Sequence, residues 1–165
     1  MTEQLTETLF YQGIKHWLLS EPLSQFLKEH RRHMHFHMLG AACWRGYRGT
    51  WQVTDSKLYL TKLEGHVDVR KTVETGPVLL DVALEDVFPD STGPVFAEWF
   101  SGGLLCVFGE LQGNMRDRYG TVSRQERLFE VRNGVVVSES VRVREVQEYR
   151  WQLTEGAGPG PDEVV

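Results

Sequence analysis

From residue 33 onward the chain is a succession of segments in which apolar and polar positions alternate, interrupted by turn residues. Alternation at a spacing of two is the signature of a half-buried strand. In "GTWQVTDSKLYLTKL", a two-residue turn at Asp55-Ser56 opposes Thr54 with Lys57, Val53 with Leu58 and Trp51 with Leu60. That register puts Trp51, Val53, Leu58 and Leu60 on one face. "LFEVRNGVVVSESVRV" carries Asn133-Gly134, the strongest short hairpin signal, and "VFAEWFSGGLLCVFGEL" predicts a turn at Ser101, Gly102 and Gly103. Near the start, "TLFYQGIKHWLL" is rich in β-formers and broken at Gln12-Gly13, which predicts a first hairpin.

One segment changes period. "SEPLSQFLKEHRR" offers Ser20 as N-cap, Glu21 and Pro22 in the first turn, and Leu23, Phe26 and Leu27 at helical spacing, so a helix is expected over about 22–31. "LEDVFPDSTGPVF" reads as a long loop or short helical turn, and "EGAGPGPDEVV" makes 156–165 a disordered tail after a single β-rich domain over 1–155. Seven to nine antiparallel strands with one helix predict a mainly β fold: a curled sheet or partly closed up-and-down barrel covered on one side by the helix. A two-sheet sandwich is the alternative.

Length and charge narrow the classes. A chain of 165 residues is long enough to bury roughly 70% of its unfolded surface in one domain. The formal charge of −5 and the lack of a basic block exclude the broad electrostatic footprint of a nucleic-acid binder, and they favour a basic over an acidic partner. "MTEQLTETLF" has no basic-then-apolar leader and no run of 18 apolar residues occurs, so the chain reads as cytoplasmic, with no membrane span. Cys43 and Cys106 lie in strand-like segments and read as buried thiols.

Four of the six histidines fall in "HRRHMHFHM". On a strand, His33, His35 and His37 share one face and Met34, Phe36 and Met38 the other. His33 and His35, with Cα atoms about 7 Å apart, could converge on zinc with a remote ligand such as His66. The alternation alone is what any half-buried strand needs, and it favours a wet face without metal. Ser101 in "WFSGG" lacks the nucleophile elbow, no phosphate-binding loop is present, and the glycines read as turn punctuation, so neither a cofactor nor a catalytic constellation is expected. Glu85-Asp86, with Asp90 nearby, forms an acidic cluster. "WRGYRGTW" brings Arg45, Tyr47 and Arg48 together, residue types common in binding hot spots. The plainer reading of that stretch is a curved barrel strand whose Trp packs the core.

At "ACWRGYRGTWQVTDSKLYLTKLEG", "VFAEWFSGGLLCVFGEL" and "YGTVSRQERLFEVRNGVV" the chain resembles a group of small uncharacterised bacterial proteins. Their pattern runs Cys-Trp-Arg-Gly-Tyr, then Trp-Glu-Ile-x-Asp-x-Lys-Leu-Tyr-Leu, then Val-Phe-Ala-Asp-Trp-Phe-Ser-Gly. The likeness spans roughly 12–137, with Gln52 in place of the usual acid and Glu98 in place of Asp. It implies one bacterial domain and carries over no catalytic residue. By analogy with other small acidic bacterial proteins, the expected function is non-catalytic binding, as an immunity protein that occludes a basic toxin or effector. Glu85, Asp86, Asp90 and Glu98 would then be contacts, with Tyr47 and Arg48 as anchors. A small-ligand-binding barrel and a metal-dependent enzyme using the histidine row are the alternatives.

Overall fold

A computed structural model describes residues 5–38, 43, 45–70, 72, 74, 76–112 and 123–145. The chain is mainly β. Strands β1 (Glu7–Tyr11) and β2 (Ile14–Leu18) form the first hairpin, followed by helix α1 (Leu23–His30), β3 (Tyr47–Thr54), β4 (Lys57–Asp68), β5 (Leu79–Val82), the one-turn helix α2 (Leu84–Val87), β6 (Val95–Phe96), β7 (Gly102–Gln112), β8 (Ser123–Arg132) and β9 (Val135–Glu145). Pairing runs β1-β2-β7-β8-β9-β4-β3, and β3 returns to β1, which closes a seven-stranded barrel. The closure removes the unpaired edges an open sheet would present, so the sandwich alternative is set aside.

Three predicted turns form as their residues require. Gln12-Gly13, Asp55-Ser56 and Asn133-Gly134 all have positive φ, the conformation of two-residue hairpins. Around Asp55-Ser56 the register is Thr54 to Lys57, Val53 to Leu58 and Trp51 to Leu60, so the apolar face falls where the alternation puts it.

Other expectations are corrected. The barrel is not simply up-and-down, because β1 and β3 run parallel, with Thr8 opposite Thr50 and Tyr11 opposite Val53. Ser101–Gly103 is no hairpin turn: β6 pairs with β4, while β7 pairs with β2 and β8. Ser101 Oγ instead accepts from the Asn133 N–H, and Phe100 O accepts from Gly134 N–H, which fastens this segment to the β8–β9 turn. Ser20 does not cap α1, whose N-cap is Pro22 with no side-chain hydrogen bond. Its hydroxyl stitches the chain to β7, donating to Gly103 O and accepting from Leu105 N–H.

The core is continuous. Leu9, Leu18, Trp51, Leu58, Leu60, Leu104 and Phe129 are fully buried within the ring of strands. Helix α1 covers the barrel through Leu23 and Phe26, and Phe26 packs on Phe88 and Trp99 with centroids 4.5 and 4.9 Å away. Cys43 and Cys106 are buried free thiols, and burial pushes Cys106 up to about 12. Among the described residues no helix is long and apolar enough to cross a membrane. The predicted tail over 156–165 lies outside the described residues.

Candidate functional site

Strand parity carries polar side chains into the barrel. Glu7 shares the inward face of β1 with Leu9, and its side of β1 lies against the inward face of β3, where Tyr47, Gly49 and Trp51 alternate with outward residues. Glu7 is 1% exposed. Its Oε1 accepts from Gly49 N–H at 2.6 Å and from the Trp51 indole at 3.4 Å. Gly49 makes this approach possible: a Cβ there would lie 2.5 Å from Glu7 Oε1 and 2.7 Å from Trp51 Nε1.

Arg45 enters the same region from the turn ahead of β3. Gly46 N–H donates to Cys43 O, Gly46 has φ +79°, and a Cβ on it would lie 2.5 Å from His37 O, so only glycine fits the turn. The Arg45 side chain is 10% exposed, its Nη1 is 3.6 Å from Glu21 Oε1, and its guanidinium carbon stands 5.7 Å from the centre of the Tyr47 ring.

Among the described residues, four buried side-chain nitrogen and oxygen atoms have no hydrogen-bond partner: Glu7 Oε2, Arg45 Nε, Arg45 Nη2 and the Tyr47 hydroxyl. They belong to one electrostatically coupled group. Burial raises the Glu7 carboxyl from 4.5 to about 7, against the opposing pull of Arg45 and of the Gly49 and Trp51 hydrogen bonds. Burial also raises Tyr47, and the Glu7 charge adds to that shift. Leaving a buried polar group unpaired costs roughly 1–3 kcal/mol, so a group of four is a feature that needs a partner.

A second interior polar network has no buried unpaired side-chain atom. His16 is fully buried, with Nδ1 2.9 Å from Ile14 O and Nε2 3.1 Å from Arg127 Nε. These contacts fix the neutral tautomer: Nδ1–H donates to the carbonyl, and Nε2 accepts from the guanidinium. Burial lowers the His16 pKa, and Arg127 lowers it further. Arg127 Nη1 and Tyr11 OH then donate to the two oxygens of Glu139, at 2.9 and 3.0 Å. This network joins four barrel strands, and none of its buried side-chain nitrogen or oxygen atoms lacks a partner. Tyr11 and Glu139 also line a cleft of about 610 Å³ beside the β1–β2 and β3–β4 turns, where Glu139 is already committed.

The residues singled out in the sequence are dispersed. Arg45 and Tyr47 lie inside, whereas Arg48 faces outward opposite Glu64, so the three share no surface and Tyr47, 3% exposed, cannot anchor a partner. His33–His37 is not a strand. His33 lies in a turn, and only Phe36 bridges to Val67, with His37 N–H donating to His66 O. His33, His35 and Met38 are exposed while Met34 and Phe36 pack on the core. His66 lies beside His37 through its backbone, but its ring pairs with Asp81 at 2.7 Å, and among the described residues no three His, Cys, Asp or Glu side chains are grouped to hold a metal ion. Glu85, Asp86, Asp90 and Glu98 are exposed on the segment between β5 and β7. Asp86 has a structural role: its Oδ2 accepts from Ala83 N–H at 2.7 Å at the start of α2. Asp86→Ala is therefore expected to lower stability by about 1 kcal/mol, measured by urea unfolding, and an unchanged midpoint would remove that role.

The interior residues missed in the sequence had one available signal. In "ETLFY", Glu7 and Leu9 share parity, but Phe10 competes with Leu9 for the inward face, and Phe10 is the one exposed. Comparisons with protein-family models, with curated proteins and with solved structures found no match.

Proposed function

We propose that this chain is a non-catalytic binding protein that holds a small polar molecule inside its barrel. The observation that supports this reading is the group of four buried, unpaired polar atoms on Glu7, Arg45 and Tyr47. A packed barrel that only needed stability would place apolar side chains there, as it does at the fully buried Leu9, Trp51 and Leu60. Glu21, half-exposed and paired with Arg45, marks where the group meets solvent. Native mass spectrometry of untagged protein from its source is expected to reveal a one-to-one small-molecule adduct that is lost on denaturation. Arg45→Met should lose the adduct while its circular dichroism stays that of the wild type. A bare wild-type chain would sink the reading.

A second reading is an immunity-type protein of the bacterial cytoplasm that neutralises a basic toxin or effector. It is favoured by the exposed Glu85, Asp90 and Glu98, for which no ion pair is found among the described residues, together with the net charge of −5. Reversing all three charges should slow association with a purified basic partner by at least about tenfold at low salt. An unchanged rate would remove these residues from the interface.

A further inference from the structure

We infer that the interior site takes a monocarboxylate, gripped by the Nε/Nη2 edge of Arg45, with the Glu7 carboxyl group and the Tyr47 hydroxyl completing its hydrogen bonds. This inference rests on the small-ligand reading above and names the head group that reading leaves open.

Geometry carries the first step. A guanidinium has an edge on which the Nε–H and one Nη–H point the same way, and that edge matches the two oxygens of a carboxylate. In Arg45 both nitrogens of that edge, Nε and Nη2, are buried and have no protein acceptor. The remaining nitrogen, Nη1, is the one beside Glu21, 3.6 Å away. Glu7 does not occupy the free edge, because its Oε1 is turned to Gly49 N–H and Trp51 Nε1–H, and no ion pair joins it to Arg45. The arrangement therefore holds a bidentate donor with no bidentate acceptor.

Charge carries the second step. The charged and titratable groups around Glu7 are Arg45 from the turn ahead of β3, Tyr47 on β3 and Glu21 ahead of α1, with Cys43 acting on Tyr47 from the same turn as Arg45. With Glu7 neutral and the Glu21 carboxylate half-exposed, where solvent screens its pairing with Arg45, the guanidinium is the one buried charge of the group, and a monoanion balances it. A dianionic phosphate would leave an uncompensated negative charge beside Glu7. A neutral Glu7 also has an O–H to donate to the bound carboxylate, and the Tyr47 hydroxyl is a second donor.

A consequence in pH follows. Glu7 titrates at about 7 in the protein, and a carboxylate ligand binds the protonated form better. The dissociation constant is expected to be flat between about pH 5, above which the probe acids are themselves ionised, and about pH 7, and to rise about tenfold per pH unit above that.

The test uses acetate, butyrate and octanoate as probes, with acetamide, butyramide and octanamide as neutral controls of the same shape. The readout is the Trp51 indole N–H signal in NMR, which reports directly on Glu7 because it donates to Glu7 Oε1. A Trp51→Phe variant assigns it. Expected are a saturable shift with at least one carboxylate, binding at least about tenfold weaker with the matched amide, and a similar loss in Arg45→Lys, which keeps the charge but not the fork. Glu7→Gln, which trades the O–H donor for an amide N–H, should weaken binding less than Arg45→Lys does and abolish its pH dependence, an arm that stands even if the Arg45 variant folds poorly. Equal binding of acid and amide, or a pH-independent wild type, would overturn the carboxylate assignment and leave the small-ligand reading intact, as would a non-acidic adduct in the native spectrum. No probe binding together with a bare chain in that spectrum would overturn both.

Discussion

Trp51→Ala is expected to destabilise the fold by about 4 kcal/mol, the upper range for removing a large aromatic side chain from a core. Trp51 is 0% exposed. It sits on the inward face of β3 between Leu9 of β1 and Leu60 of β4, the two pairings that close the ring. Its ring also lies edge-on to Trp99, with centroids 6.4 Å apart, and Trp99 Nε1 donates to Pro22 O at the start of α1. One residue thus links the strand closure to the covering helix. Its indole also donates to Glu7, so the truncation removes a hydrogen bond from a buried carboxyl group as well as apolar area. Trp51→Phe keeps most of the packing and loses only the donor, and about 1–2 kcal/mol is expected. Guanidinium unfolding measures both, and a loss below about 1 kcal/mol in Trp51→Ala would contradict a single continuous core.

The pH dependence of stability should change sharply in Glu7→Gln. The folded Glu7 carboxyl titrates at about 7 against an ordinary 4.5, raised chiefly by burial. The native state therefore binds this proton more tightly than the unfolded chain does. The stability this confers is fully present below about 4.5 and is lost as pH rises to about 7, by about 3 kcal/mol in total. His16 acts with the opposite sign. Its lowered pKa favours the native state above its ordinary value of 6.5, and that contribution is lost as pH falls through the lowered value. Both proteins contain His16, so the difference between their curves isolates Glu7. Glutamine also keeps an acceptor for Gly49 N–H, which limits the change to the ionisable proton. Urea midpoints taken across this range should converge toward its acid end and separate toward neutrality, with the variant the more stable. Parallel curves would show that Glu7 does not titrate there.

The three two-residue turns were legible because each carries residues that tolerate positive φ between alternating strands, and the Asp55-Ser56 register follows from them without any long-range information. The parallel pairing of β1 with β3 was not, since it joins segments some forty residues apart with no local signature. Ser20 and Ser101 misled for a related reason. Both sit where local rules suggest a cap or a turn, and both spend their hydroxyls on distant strands. The histidine row drew attention by composition, yet the buried histidine is His16, alone in its segment and inward by parity with Leu18. In "WRGYRGTW" the residue types were the right ones. Parity separates Tyr47 from Arg48, and the turn at Gly46 brings Arg45 inside with Tyr47, toward a Glu7 that no motif had marked.

An atomic-resolution crystal structure of protein purified without added carboxylate decides whether the barrel holds a small molecule, because it reveals what the Glu7, Arg45 and Tyr47 polar atoms contact. Density is expected for a bound organic group with two atoms within hydrogen-bond distance of Arg45 Nε and Nη2. Ordered water alone, or direct pairing of Glu7 with Arg45 that satisfies all four atoms, would contradict it.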